Sequence, residues 1–246
     1  MREEPEQQQP GQDYAALAFD YDGTLAWDGA VSSATIDALR RLRESGRKLL
    51  MVTGRTLEDL LRIFPRLELF EKIVAENGAV LYTSATGQRR ALAAPPPTGF
   101  IELMHARGVS PLEAGEVIVA TREPNQSRVL EVIRELGLEL QLIFNKGAVM
   151  VLPPNVNKAT GLKHALKELE LLPEQVVGVG DAENDHAFLD YCGYSVAVAN
   201  ALPALKEHAA FVTSGPNGMG IIELAERVLD KNLPPARRAA TWNRAA

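Results

Sequence analysis

The chain reads as an α/β protein, a parallel sheet with helical crossovers interrupted by a smaller inserted α/β layer. Three observations predict this. Short apolar runs alternate with amphipathic helical stretches over residues 14–82. A stiff connector, Pro95-Pro96-Pro97, then breaks the rhythm, and it resumes beyond Pro153-Pro154. Strands alternating with helices favour parallel pairing, because a right-handed crossover needs a helix to return the chain to the same sheet edge. The expected division is a disordered tail over 1–13, a discontinuous core over 14–84 and 155–230, an α/β insert over 85–154, and a carboxy-terminal tail over 231–246.

Each element has a local cause. Residues 14–20 form an apolar run ending in Asp20-Tyr21-Asp22-Gly23-Thr24. Ser32 or Ser33 can cap a helix over about 34–45, with Ile36, Leu39 and Leu42 on one face and Gly46 as its stop. Lys48–Val52 is a second run, ending in Thr53-Gly54-Arg55, and Thr56 opens a helix that Pro65 closes. Ile73-Val74-Ala75 is a third strand, ending at Glu76-Asn77-Gly78, with Ala79–Tyr82 returning as a hairpin. The insert reads as helix (99–107), strand (Val117–Thr121), helix (125–136) and two strands, Glu139–Phe144 and Ala148–Leu152, around an Asn145-Lys146-Gly147 turn. Asn157 then caps a helix over 158–170, and Val176–Gly180 is a buried run ending in Asp181-Ala182-Glu183-Asn184-Asp185. A helix (186–191), a strand (Ser195–Val198), a helix (202–208) and a strand (Ala210–Thr213) follow. A glycine-rich loop, Gly215–Gly220, leads to a last helix near 220–230. No internal repeat is visible.

Composition narrows the function classes. A net charge of −6 and the lack of a Lys/Arg run interleaved with aromatics argue against nucleic acid. No apolar run approaches the roughly 20 residues of a membrane span, and the polar amino terminus lacks the apolar core of a signal peptide. The single cysteine, Cys192, excludes an internal disulfide, so a reducing cytoplasm is the default and an inert, buried thiol the expectation. Nothing in the sequence demands more than a monomer.

The chemistry lies where buried runs end. Asp20 and Asp22, Thr53, and Asp181 and Asp185 all follow such runs, and in a parallel sheet those carboxyl ends share one edge, where open α/β sheets bind ligands. Four carboxylates on one edge repel without a cation, and oxygen donors of this kind suit Mg²⁺. Lys158, at a helix start, suits an anion. Taken singly these residues have plainer readings: an Asp-Gly turn, an aspartate capping a helix, a solvated lysine. Their joint placement describes a phosphoryl-transfer site. His105, His164 and His208 have no metal-ligand spacing, and Arg122 reads as solvated.

The segments DYDGT, VTGR, NVNKATGL and GDAENDHAF resemble, in order, the four motifs of the haloacid dehalogenase superfamily of aspartyl phosphatases. The insert is similar to the cap of the Cof-like, subclass IIB members, and the likeness spans about residues 15–230. It implies a Rossmann-like core with a cap, and hydrolysis of a small phosphorylated metabolite of the sugar-phosphate or phosphoglycolate type. By that resemblance Asp20 is the nucleophile that forms a phosphoaspartate, and Asp22 protonates the leaving group and then activates water. Asp20, Asp181, Asp185 and the main-chain carbonyl of Asp22 surround Mg²⁺, while Thr53, the Gly54 amide and Lys158 hold the phosphoryl oxygens. Asn184, His186, Arg55 and Asn77 stand close enough to touch substrate or the metal's surroundings. Three positions depart from the family pattern: His186 replaces an apolar residue, and Asn155 and Asn157 replace the commoner residues before the lysine. A phosphotransferase or mutase using the same phosphoaspartate is one alternative. A phospho-acceptor module that does not turn over is another, disfavoured by Asp22.

Overall fold

A computed structural model describes residues 13–235. The expected amino-terminal tail, apart from Asp13, and the carboxy-terminal tail beyond 235 lie outside those residues. Among them, in chain order, are β1 (Ala16–Phe19), α1 (Ser33–Glu44), β2 (Lys48–Val52), α2 (Leu57–Ile63), β3 (Lys72–Ala75), β4 (Val80–Thr83) and β5 (Gln88–Ala91). The insert contributes α3 (Thr98–Ala106), β6 (Glu113–Ala114), β7 (Val119–Arg122), α4 (Gln126–Glu135), β8 (Gln141–Asn145) and β9 (Ala148–Leu152). Then come α5 (Lys158–Glu168), β10 (Val176–Gly180), α6 (His186–Tyr191), β11 (Tyr194–Ala197), α7 (Pro203–His208), β12 (Phe211–Val212) and α8 (Asn217–Leu229).

Eight strands form one sheet in the order β12-β11-β10-β1-β2-β3-β4-β5. The six from β12 to β3 are parallel, and β4 and β5 add an antiparallel edge. β1 is central and fully buried, as expected of a continuous apolar strand covered on both faces. In its register Phe19 stands beside both Met51 and Val179, so Asp20, Thr53 and Asp181 emerge within one residue of the same level.

A second sheet, β6-β7-β9-β8, is antiparallel. Successive residues of its strands point to opposite faces, and both faces of β9 are buried. Val119 and Val151 pack with Phe100, Met104, Val129 and Val132 of α3 and α4, forming a separate small core. Met150 and Leu152, with Val117 and Ile118, face the other way and join the large core. The insert is thereby seated on the body of the protein.

Two expectations need correction. The insert was expected to open at residue 85, but Gln88–Ala91 pairs antiparallel with β4 in the large sheet. Its residues, Gln-Arg-Arg-Ala, are all exposed, so no apolar alternation marks them as a strand. The loop expected over Gly215–Gly220 is instead largely helical, since α8 begins at Asn217. Those glycines serve close packing: a Cβ on Gly218 would lie 2.2 Å from Thr35 Oγ1, and one on Gly220 2.4 Å from Thr213 Oγ1. The caps expected at Ser32, Thr56 and Asn157 are all in place, each accepting a hydrogen bond from the third backbone N–H of its helix.

Candidate active site

Lys158 opens α5, whose first turn is fixed by a reciprocal cap: Asn157 accepts from the Thr160 N–H, and Thr160 Oγ1 accepts from the Asn157 N–H. The turn Glu76–Gly78 presses against this helix start. Gly78 has φ +107°, and a Cβ there would lie 1.9 Å from the Asn157 carbonyl oxygen, so only glycine lets α5 approach. The result is a lysine only 1% exposed whose Nζ donates at 2.6 Å to Asp20 Oδ1 and at 2.6 Å to Asp185 Oδ1.

The Asp185 carboxylate is held from the other side as well, since Oδ2 accepts the backbone N–H groups of Asp181 (2.8 Å) and Ala182 (2.9 Å). It therefore shapes the loop that follows β10. Asp181 Oδ1 accepts from the Thr24 hydroxyl at 3.0 Å, and its Oδ2 from Lys146 Nζ at 2.5 Å. Gly23, at φ +85°, makes room for that meeting, because a Cβ would fall 2.3 Å from Asp181 Oδ2 and 2.5 Å from Lys146 Nζ. Asn200 steadies the same turn by donating to the Gly23 carbonyl at 2.8 Å.

Oxygen atoms of Asp20, Asp181 and Asp185 all lie within 4.8 Å of one another. Burial and the neighbouring Asp185 push the Asp20 carboxyl well above the usual carboxylate range, and Lys158 only partly offsets them. Burial likewise raises Asp181 despite Lys146. Burial alone would lower the Lys158 ammonium, but the Asp185 and Asp20 carboxylates outweigh it and hold the group above the ordinary lysine range. Three buried carboxylates thus face two ammoniums, and among the described residues the one partner of Asp181 Oδ2 is the ammonium of Lys146, a residue half exposed. All-oxygen donors at this spacing, with charge left over, fit a hard divalent cation such as Mg²⁺.

The other expected residues are placed as follows. Asp22 stands apart from the carboxylate cluster, its two oxygens taking Arg55 Nη2 and Nε at 2.7 Å each. Arg55 also pairs with Asp59 and lies over the Tyr21 ring, so it is committed within the protein rather than solvated. Tyr21 is fully buried, with its hydroxyl donating to the Gly29 carbonyl at 2.8 Å. Thr53 is buried and its hydroxyl accepts from the Arg55 N–H at 3.1 Å. Gly54 lies within ordinary contact of the insert: a Cβ there would stand 3.4 Å from Met150 Sδ and 3.7 Å from Asn184 Nδ2. Asn184 donates to Asn77 Oδ1 at 2.9 Å, which leaves Asn77 Nδ2 and Asn184 Oδ1 buried without partners. His186 packs edge to face on His208, not on the carboxylates. Arg122 is exposed at the end of β7. Burial pushes the Cys192 thiol up, in keeping with an inert cysteine.

Sequence reasoning missed two charged residues. Lys146 was read only as part of a tight turn; a lone lysine at a hairpin apex carries no signal of where its amine reaches. Glu76 is fully buried, and its carboxylate accepts the backbone N–H groups of Glu116, Val117 and Ile118 at 2.7–2.8 Å. Its place at the end of a buried strand, like that of Asp20 and Asp181, was the available clue.

Residues 17–93 and 118–224 match the model of the haloacid dehalogenase-like hydrolases. The chain belongs to that family. This hydrolase is 31% identical over 223 residues to a phosphoglycolate phosphatase of Methanothermobacter thermautotrophicus, covering 87% of the chain and 98% of the relative. It is also 31% identical over 226 residues to a phosphoglycolate phosphatase of Haloarcula marismortui, covering 86% of the chain and 96% of the relative. Among solved structures its fold is similar to an HAD/COF-like hydrolase from Plasmodium vivax, with a TM-score of 0.76 at 24% identity, covering 89% of this chain and 97% of that one. No helix among the described residues is long and apolar enough to cross a membrane.

Proposed function

We propose that this hydrolase is a Mg²⁺-dependent phosphatase that cleaves phosphoglycolate, or a close analogue, through a phosphoaspartate on Asp20. The observation that carries the reading is the buried Lys158, whose one ammonium binds Asp20 and Asp185 while Asp181 stands beside them. Such a lysine neutralises the nucleophile's surroundings and offers charge to an incoming phosphoryl group. The substrate class rests on the names of the two archaeal relatives.

The chain's own residues divide the work. An Asp20 carboxylate oxygen attacks phosphorus, and the bond to the leaving oxygen breaks as Asp22 supplies its proton. Asp22 then takes a proton from water, whose oxygen attacks the phosphoaspartate and frees Asp20 and inorganic phosphate. Arg55, on both Asp22 oxygens, fixes where that carboxylate waits. Lys158, the Thr53 hydroxyl and the Gly54 amide orient the phosphoryl oxygens. Asp20, Asp181 and Asp185, with the Asp22 carbonyl, would hold the Mg²⁺, which supplies neutralising charge to the phosphoryl group. The seated insert keeps bulk water from the nucleophile.

Phosphate release from phosphoglycolate should require Mg²⁺, stop with a chelator, and fall to background in Asp20→Asn. Mass spectrometry of the quenched wild type should find a phosphoryl increment on the peptide containing Asp20. A wild type that releases no phosphate, or an Asp20→Asn variant that keeps its rate, overturns the reading.

A further inference from the structure

Lys146 is the cation that the proposed chemistry does not use. It sits in the two-residue turn between β8 and β9, where Asn145 pairs with Ala148, and both turn residues have positive φ (Lys146 +47°, Gly147 +80°). That geometry suits a tight hairpin whose twist matches its strands, so the apex is a fixed point and not a wandering loop. From the apex the side chain reaches into the carboxylate cluster, with Nζ 2.5 Å from Asp181 Oδ2.

The neighbouring cations are committed. Arg55 is held by Asp22 and Asp59, and Lys158 by Asp20 and Asp185. Among the described residues Lys146 has one hydrogen-bond partner, and its side chain is 47% exposed. Its partner oxygen on Asp181 takes no other donor among those residues, since Thr24 takes Oδ1. A divalent cation at the cluster would claim that oxygen and repel the ammonium. Lys146 would then present a positive charge, from a rigid hairpin, to whatever enters beside Asp20. Met150 of the same insert lies beside Gly54, at the edge of this site.

We propose that Lys146 is a specificity-determining residue: the cation displaces it from Asp181, and it then binds a carboxylate carried by a short phosphate ester. The proposal rests on the phosphatase reading and adds the residue that selects the substrate. A charge-assisted pair of this kind is worth roughly a 10- to 100-fold difference in binding.

The test compares phosphoglycolate with ethyl phosphate, an ester of similar size whose alkyl group carries no carboxylate, in wild type, Lys146→Met and Lys146→Arg. The wild type should prefer phosphoglycolate. In Lys146→Met the ratio of the two kcat/KM values should fall about 10- to 100-fold, with the loss in KM for phosphoglycolate rather than in kcat. Lys146→Arg should restore most of the ratio. Calorimetry without substrate should show Mg²⁺ binding tighter to Lys146→Met than to the wild type, because a competitor for Asp181 has been removed. An unchanged ratio or an unchanged Mg²⁺ affinity overturns the proposal. A wild type that cleaves both esters equally overturns it while leaving the phosphatase reading intact. A wild type that cleaves neither overturns both.

Discussion

Replacing Lys158 with methionine keeps the length of the side chain and removes the charge that two buried carboxylates share. Asp20 and Asp185 each lie 2.6 Å from its Nζ, and neither is open to solvent. The cheapest escape for the variant is to protonate Asp20, whose carboxyl is already pushed up by burial and by Asp185. Keeping a carboxyl of ordinary pKa, about 3.9, protonated at pH 7 costs about 4 kcal/mol, which is the ceiling of the difference because the wild type already bears part of that cost. This falls inside the roughly 3–5 kcal/mol seen when a buried ion pair loses one partner. The sign with pH follows: the folded variant binds a proton that its unfolded chain has released, so the penalty grows as pH rises above about 3.9 and vanishes below it. At pH 5 it should shrink to about 1.5 kcal/mol. Urea unfolding of wild type and variant at both pH values, with a chelator present, measures the difference. A loss of stability equal at pH 5 and pH 7 would refute the reasoning, because it would trace the damage to packing and not to charge.

Asp22→Asn should lower turnover of phosphoglycolate by about 10²-fold or more, and by much less for an aryl phosphate whose leaving group needs no proton; steady-state rates on the two esters check the split. Glu76→Ala should leave the Glu116, Val117 and Ile118 amides without their acceptor, at about 1–3 kcal/mol for each buried group, and hydrogen exchange should report lost protection there while β1 keeps its own. Glu168 is held below the usual glutamate range by hydrogen bonds from Lys72 and Arg90, so its contribution is full above about 4.5 and is lost as pH falls through its folded value. Glu168→Gln should therefore lower the thermal midpoint at pH 7, and the difference from the wild type should shrink as pH falls below about 4.5.

The candidate site was legible because each member is announced locally. Asp20, Thr53 and Asp181 directly follow buried strands, and Lys158 directly follows a capping asparagine. Parallel pairing then carries local signals to one edge. What stayed hidden depends on contacts distant in sequence. Lys146 meets Asp181 across 35 positions, and Glu76 reaches amides 40 to 42 positions on. Asp22 is legible as a general acid; that Arg55, 33 positions away, claims both its oxygens is not. Gly218 and Gly220 read as part of a glycine-rich loop because composition cannot say that Thr35 and Thr213 crowd them.

The hairpin that carries Lys146 has a consequence for how this protein could change. Its strands pair with full register from Gln141–Leu152 to Asn145–Ala148, so the residue at the apex varies without disturbing the ladder beneath it. Asp20 follows β1 of the other sheet and Lys158 opens α5, so neither is carried by that hairpin. On the proposed reading, swapping one turn residue would exchange the group aimed at the leaving portion of the substrate while the phosphoryl chemistry carries on. A short β-turn thus offers a lineage a place to acquire new substrates one codon at a time.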